Sequence, residues 1–250
     1  MKKRIKKVFT FLSSDPSMPV YFNLCLKTWK KNFPSDYEMV PITPETIKNY
    51  LDEEQLKFFK NITPEVIDYI KACVLHSNGG VFMDADTLLL KKFYLPEEML
   101  ETYDVVVFGN SHVSSCSGFM MAQKGSPVLK EYIKRLEKTL LNQEQTPVSE
   151  NKIFNDMLSD GYNSKVLVID AESSGYLAEK ALYGVSSDYL RTQLYFSNSV
   201  DLNDFYNVTN GIVSIHCKNI NEKYFDMSEE EFLSQNNLLA KIINKCLNQN

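Results

Sequence analysis

Apolar runs too short for helices alternate with segments of helical period along this chain. Ile5–Leu12 is a short apolar run that predicts a strand, and Tyr37–Ile42 predicts a second. Between them, Tyr21–Asn32 has helical spacing through Leu24, Thr28 and Lys31. Thr43-Pro44-Glu45 and Thr63-Pro64-Glu65 each set a hydroxyl, a proline and an acid in the order that opens a helix. The second of these helices runs to Gly79, a natural left-handed terminator. Further strands are predicted at Tyr103–Phe108, Gly118–Gln123, Lys165–Ile169 and Ile212–His216. Pro127–Leu141 is amphipathic, with Val128, Tyr132, Leu136 and Leu140 on one face, and Glu150–Leu158 is also helical. Ser228 and Glu231 form a capping box that opens a last helix over 228–247. Strands alternating with helices predict an α/β fold, a mixed central sheet flanked by helices, in one domain over residues 1–250.

The candidate chemistry sits after the helix that ends at Gly79-Gly80. The segment Val81-Phe82-Met83-Asp84-Ala85-Asp86 continues into Leu88-Leu89-Leu90, which reads as one interior strand. Strand alternation would then place Phe82, Asp84 and Asp86 on one face. Two aligned carboxylates on an apolar strand repel each other and lose hydration, so a positive partner is required. A divalent cation is the simplest such partner. The competing reading is an exposed edge whose aspartates face water.

Composition narrows the classes of function. The 250-residue chain is 44% hydrophobic, enough for a sizeable core, and carries a net charge of −5. No basic stripe accompanies that charge, so no nucleic-acid partner is expected. Lys2, Lys3, Arg4, Lys6 and Lys7 crowd the N-terminus, where they serve either as a solvated lead-in or as a peripheral contact with an anionic membrane surface. No segment reaches the ~20 apolar residues that span a bilayer. The run Val8–Leu12 is too short for a signal peptide, so a cytoplasmic protein, at the inner face of the membrane if that contact forms, is expected. Five scattered cysteines without a C-x-x-C pair predict reduced thiols rather than disulfides or a zinc site.

Several of these segments together resemble a known family. Ile67-Asp68-Tyr69-Ile70-Lys71, then Gly79-Gly80, then Asp84-Ala85-Asp86 resemble the S-D-x-x-R, G-G and D-x-D signature of the capsular polysaccharide synthesis group of glycosyltransferases. That signature is shared with the sugar-binding region of the large clostridial toxins and with yeast initiating mannosyltransferases. Leu26–Lys31 through Tyr37-Glu38, Ser117-Gly118-Phe119 through Gly125-Ser126-Pro127, and Gly211–His216 resemble further family segments in the same order. Lys71 stands where the family has Arg, Ser117 where it has Asn, and no Trp follows His216 closely.

The resemblance implies a Rossmann-like glycosyltransferase A fold and transfer of a sugar from a nucleotide-diphosphate donor, UDP-sugar in the first instance. The acceptor would be a surface glycan or a lipid-linked glycan, and the anomeric configuration would be retained. It implies Mn²⁺ or Mg²⁺ as cofactor, with Asp86 as direct ligand and His216 as the leading third-ligand candidate. Asp84 would reach the ribose or sugar hydroxyls. Asp68, Lys71 and Ser117 would hold the donor, although Asp68 and Lys71 also read as an ordinary surface pair at i, i+3. Two other readings compete: a degenerate protein that binds a sugar nucleotide without turnover, and a phosphatase of the haloacid dehalogenase type. The latter requires D-x-D-x-T, and Leu88 holds the fifth position here.

Overall fold

A computed structural model of the chain describes residues 6–13, 18–59, 62–93, 95, 98–109, 118–141, 150–170, 188–198, 202, 211–215 and 220–248. These divide into two compact units. Unit 1 comprises residues 1–14, 36–83 and 95–170, and unit 2 comprises residues 15–35, 84–94 and 171–250.

Unit 1 is built on a six-stranded mixed sheet. Its strands are β1 (Lys6–Phe11), β2 (Tyr37–Ile42), β3 (Gly80–Met83), β5 (Val105–Gly109), β6 (Phe119–Ala122) and β7 (Val166–Asp170), in the order β2-β1-β3-β6-β5-β7. β1 runs parallel to β2 and β3, β6 is antiparallel to both β3 and β5, and β5 is parallel to β7. The register aligns Phe9, Phe82, Met120 and Val107 across four strands, and all four are fully buried in one core. Val8, Val81, Met121 and Val106 alternate with them and are buried too, which explains why the strands read as continuous apolar runs. Each buried Phe or Val contributes roughly 1.5–3 kcal/mol.

The helices packed in the core with Phe82 include α3 (Pro64–Asn78) and α5 (Pro127–Leu141), between which the short α4 (Met99–Thr102) lies in sequence. The Thr63 hydroxyl accepts from the Val66 N–H at the start of α3. The Tyr69 hydroxyl, itself pushed to a higher pKa by burial, donates to Glu137 across to α5 at 2.8 Å. Cys73 is fully buried in the same core, and burial pushes its thiol up to about 12. The α3–β3 joint depends on two glycines. Gly79 (φ +69°) closes the helix, and a Cβ on Gly80 (φ +109°) would lie 2.7 Å from the Lys7 carbonyl oxygen.

Unit 2 contains α1 (Tyr21–Asn32), a two-stranded ladder of β4 (Thr87–Leu89) with Ile212–Ser214, and the helices Asp188–Tyr195, Glu229–Leu233 and Leu238–Asn248. Its own core gathers Tyr21, Leu24, Leu88, Val213, Phe232, Leu239 and Ile243.

Three sequence-based expectations need correction. The helix expected after Thr43-Pro44-Glu45 is a short 3-10 turn at Ile47–Asn49, followed by α2 at Glu53–Leu56. The single helix expected over 228–247 is two, because the chain turns between Leu233 and Leu238 and Asn237 caps the second through the Ala240 N–H. The strand expected through Asp84 and Asp86 stops at Met83, so the alternation argument for those aspartates does not apply.

Candidate functional site

Residues 84–86 form a tight turn that separates β3 from β4. The Thr87 N–H donates to the Asp84 carbonyl at 2.9 Å, closing the turn over Ala85, which is buried, while both aspartates are half-buried. The Asp86 carbonyl accepts from the Ile215 N–H at 3.1 Å, so the antiparallel ladder with residues 212–214 extends to the second aspartate. Ile215 immediately precedes His216 in the chain. A turn brings Asp84 and Asp86 together on one short loop without requiring them to share a strand face.

The strand leaving this turn is anchored from α1. The Trp29 indole N–H donates to the Thr87 carbonyl at 2.6 Å. The Thr28 hydroxyl accepts from the Leu89 N–H at 3.0 Å and donates to the Cys25 carbonyl. Asn32 donates to the Leu89 carbonyl at 2.7 Å. All three side chains are buried, and together they pair the edge of β4 that does not face residues 212–214. The Thr87 and Ser214 hydroxyls, 3.1 Å apart, add a cross-strand contact. The sequence reading singled out the Leu26–Lys31 segment by resemblance but missed this role. The available signal was Thr28, Trp29 and Asn32, three hydrogen-bonding side chains on the buried stripe of one helix.

Asp68 and Lys71 form the second pair, on α3 in unit 1. The Lys71 ammonium lies 3.0 Å from an Asp68 carboxylate oxygen and 5.8 Å from the centre of the Phe82 ring. Lys71 is 1% exposed, which overturns the reading of this pair as a surface i, i+3 bridge. An ammonium withdrawn from water to that degree is tolerated only when it is paired, and such a pair adds little net stability.

Ser117 and His216 both lie outside the described residues. Among the described residues, no three of His, Cys, Asp and Glu cluster as a complete metal site. The aspartates of the turn supply oxygen donors, which suit Mg²⁺ or Mn²⁺, ions that take their remaining ligands from phosphate and water. The donor set thus fits a cation completed by a bound diphosphate.

Comparisons with known proteins bear on family and fold. One relative is the initiation-specific alpha-1,6-mannosyltransferase of Saccharomyces cerevisiae, 25% identical over 97 residues. The match spans 36% of this chain and 20% of that protein, so this chain accounts for a fifth of the curated relative's length. Among solved structures, the apo-form glycosyltransferase GlyE of Streptococcus pneumoniae aligns over 98% of this chain and 60% of its own, with 10% identity and a TM-score of 0.50. That likeness concerns the fold, an α/β fold of the glycosyltransferase A kind. The PaToxG glycosyltransferase aligns over 62% of this chain and 69% of its own at 16% identity, with a TM-score of 0.40. The family described as capsular polysaccharide synthesis protein matches residues 15–235, a stretch that contains the β3–β4 turn, the α3 ion pair and the α1 anchor, and the chain belongs to that family.

Proposed function

We propose that the protein is a glycosyltransferase that moves a sugar from a nucleotide-diphosphate donor, a UDP-sugar first, to a surface glycan or a lipid-linked glycan. The observation that carries this reading is the Asp84-Ala85-Asp86 turn, half-buried and pinned through its backbone on both sides. The activity of the yeast relative and the fold shared with GlyE support the reaction class.

The Asp86 carboxylate, with Asp84 beside it, would hold Mg²⁺ or Mn²⁺, and His216 is the further ligand the family resemblance implies. A bound divalent ion supplies positive charge to the diphosphate that departs with the nucleoside. Asp84 accepts hydrogen bonds from donor hydroxyls, Asp68 orients the sugar, and Ser117 contributes a further hydroxyl to the donor. Lys71 brings a compact positive charge where the family has the two-pronged guanidinium. In the proposed retaining reaction, the bond from the sugar's anomeric carbon to the β-phosphate oxygen breaks, and an acceptor hydroxyl forms the new bond on the same face. The acceptor proton leaves with the phosphate, so no dedicated protein base is required.

Donor hydrolysis tests this directly. The purified protein is incubated with a panel of UDP- and GDP-sugars, with Mn²⁺ or with EDTA, and free nucleoside diphosphate is measured. Metal-dependent release from one donor is expected. If neither release nor donor binding occurs across the panel, the reading fails, whereas binding without release would favour the degenerate alternative.

A further inference from the structure

Charge is unevenly distributed over unit 2. Three of its segments pack together: α1, the stretch 87–93 and the helix Leu238–Asn248. Asn32 donates to the Leu89 carbonyl and approaches the Cys246 sulfur at 3.4 Å. Lys92 donates to the Lys31 carbonyl, and Lys31 to the Leu247 carbonyl. None of the three segments contains an acidic residue, yet they carry Lys27, Lys30, Lys31, Lys91, Lys92, Lys241 and Lys245 in a chain whose net charge is −5. Four of these lysines are exposed, and Lys31, Lys241 and Lys245 are half-buried. Lys27 and Lys30 are exposed opposite the buried stripe of α1, and Lys241 and Lys245 lie opposite the buried stripe of the last helix. Lys91 and Lys92 are exposed at the end of β4. Lys27 pairs with Glu229, an acid from elsewhere in the unit, at one end of the array.

We propose that this lysine face is a docking surface for an anionic lipid bilayer. Two features favour lipid over other polyanions. The cations are all lysines, compact charges suited to a diffuse field of headgroups rather than to a fixed bidentate partner. No aromatic side chain on these three segments is exposed, so the face lacks the stacking platform of a single-strand binder. The face includes none of the basic residues Lys2, Lys3 and Arg4 and needs no sugar donor, so it can fail or hold independently of the proposed reaction.

The test is co-sedimentation of the full chain with phosphatidylglycerol–phosphatidylcholine vesicles at low salt, against pure phosphatidylcholine. Wild type is expected to bind the anionic vesicles alone. Each lysine near the surface changes affinity roughly fivefold, so combining Lys30→Gln, Lys92→Gln and Lys241→Gln should weaken binding on the order of a hundredfold. Arginine at the same three positions should restore binding, which separates lost charge from lost folding. No vesicle binding by wild type would overturn the proposal. Undiminished binding by the glutamine variant would also overturn it, as would loss of all binding on substituting only Lys2, Lys3 and Arg4 with Gln. Retention on a single-stranded oligonucleotide but not on vesicles would assign the face to a different partner and overturn the lipid reading.

Discussion

β3 and β4 are consecutive strands joined by three residues, yet they are held by different means. β3 is hydrogen-bonded through its backbone on both edges, to β1 and to β6. β4 has a backbone partner on one edge, and side chains of α1 satisfy the other. A three-residue ladder of two strands does not persist in water without outside support. The difference shows that the first half of the D-x-D motif follows a strand fixed by sheet topology, while the second half precedes a strand fixed by Thr28, Trp29 and Asn32. In the proposed reaction the aspartates carry the chemistry, and this second set of residues holds the strand that follows them.

Four substitutions probe that comparison. Asp86→Asn keeps the turn's shape and removes a charge, so turnover should fall on the order of a thousandfold, about 4 kcal/mol of transition-state stabilisation, with the melting temperature unchanged. Donor hydrolysis at wild-type levels would detach the turn from the chemistry. Gly80→Ala attacks the strand held by backbone: a Cβ at φ +109° and 2.7 Å from the Lys7 carbonyl oxygen should cost about 3 kcal/mol in urea unfolding. A loss under about 1 kcal/mol would mean that β1 and β3 separate more easily than their pairing suggests.

Trp29→Phe attacks the strand held by side chains. It removes the indole N–H that the Thr87 carbonyl accepts from, at a cost of about 1–3 kcal/mol. Because the lost bond lies one residue from Asp86, turnover should fall more than stability does. Equal proportional losses would argue against a positioning role. The smallest effect concerns the dry core behind β3. The Cys73 thiol rises from 9.0 to about 12 on folding, so the folded state favours its neutral form. That contribution is complete below pH 9 and is lost as pH rises through the window from 9 to 12, with about 1 kcal/mol gone by pH 10. Cys73→Val should flatten the alkaline fall in stability, and an unchanged pH profile would show the thiol to be less enclosed than its burial indicates.

Much of the scaffold was legible from local pattern. The strands at 6–11, 37–42, 105–109, 119–122 and 166–170 fall where apolar runs predicted them, and α1, α3 and α5 where helical period did. The capping signals at Thr63 and Ser228 are present as hydrogen bonds. Pattern failed where a run of apolar residues hid a break. Val81–Leu90 reads as one strand because both halves are buried, and burial makes β3 and β4 look alike in sequence. Likewise, spacing could not distinguish a surface Asp68–Lys71 pair from a buried one, since both have residues at i and i+3 on one helix.

The sequence by itself determined the α/β class, the positions of α1, α3 and α5, the family resemblance and the two pairs of charged residues, because caps, periodicity and motifs act over a few neighbouring positions. The tertiary structure decided that the aspartates sit in a turn and that Lys71 is enclosed. It also decided that Trp29 supports a strand 58 residues further along the chain. Each of those outcomes depends on which distant backbone group supplies the missing hydrogen-bond partner, or on which ring covers the charge. A local pattern of residues carries no record of that choice.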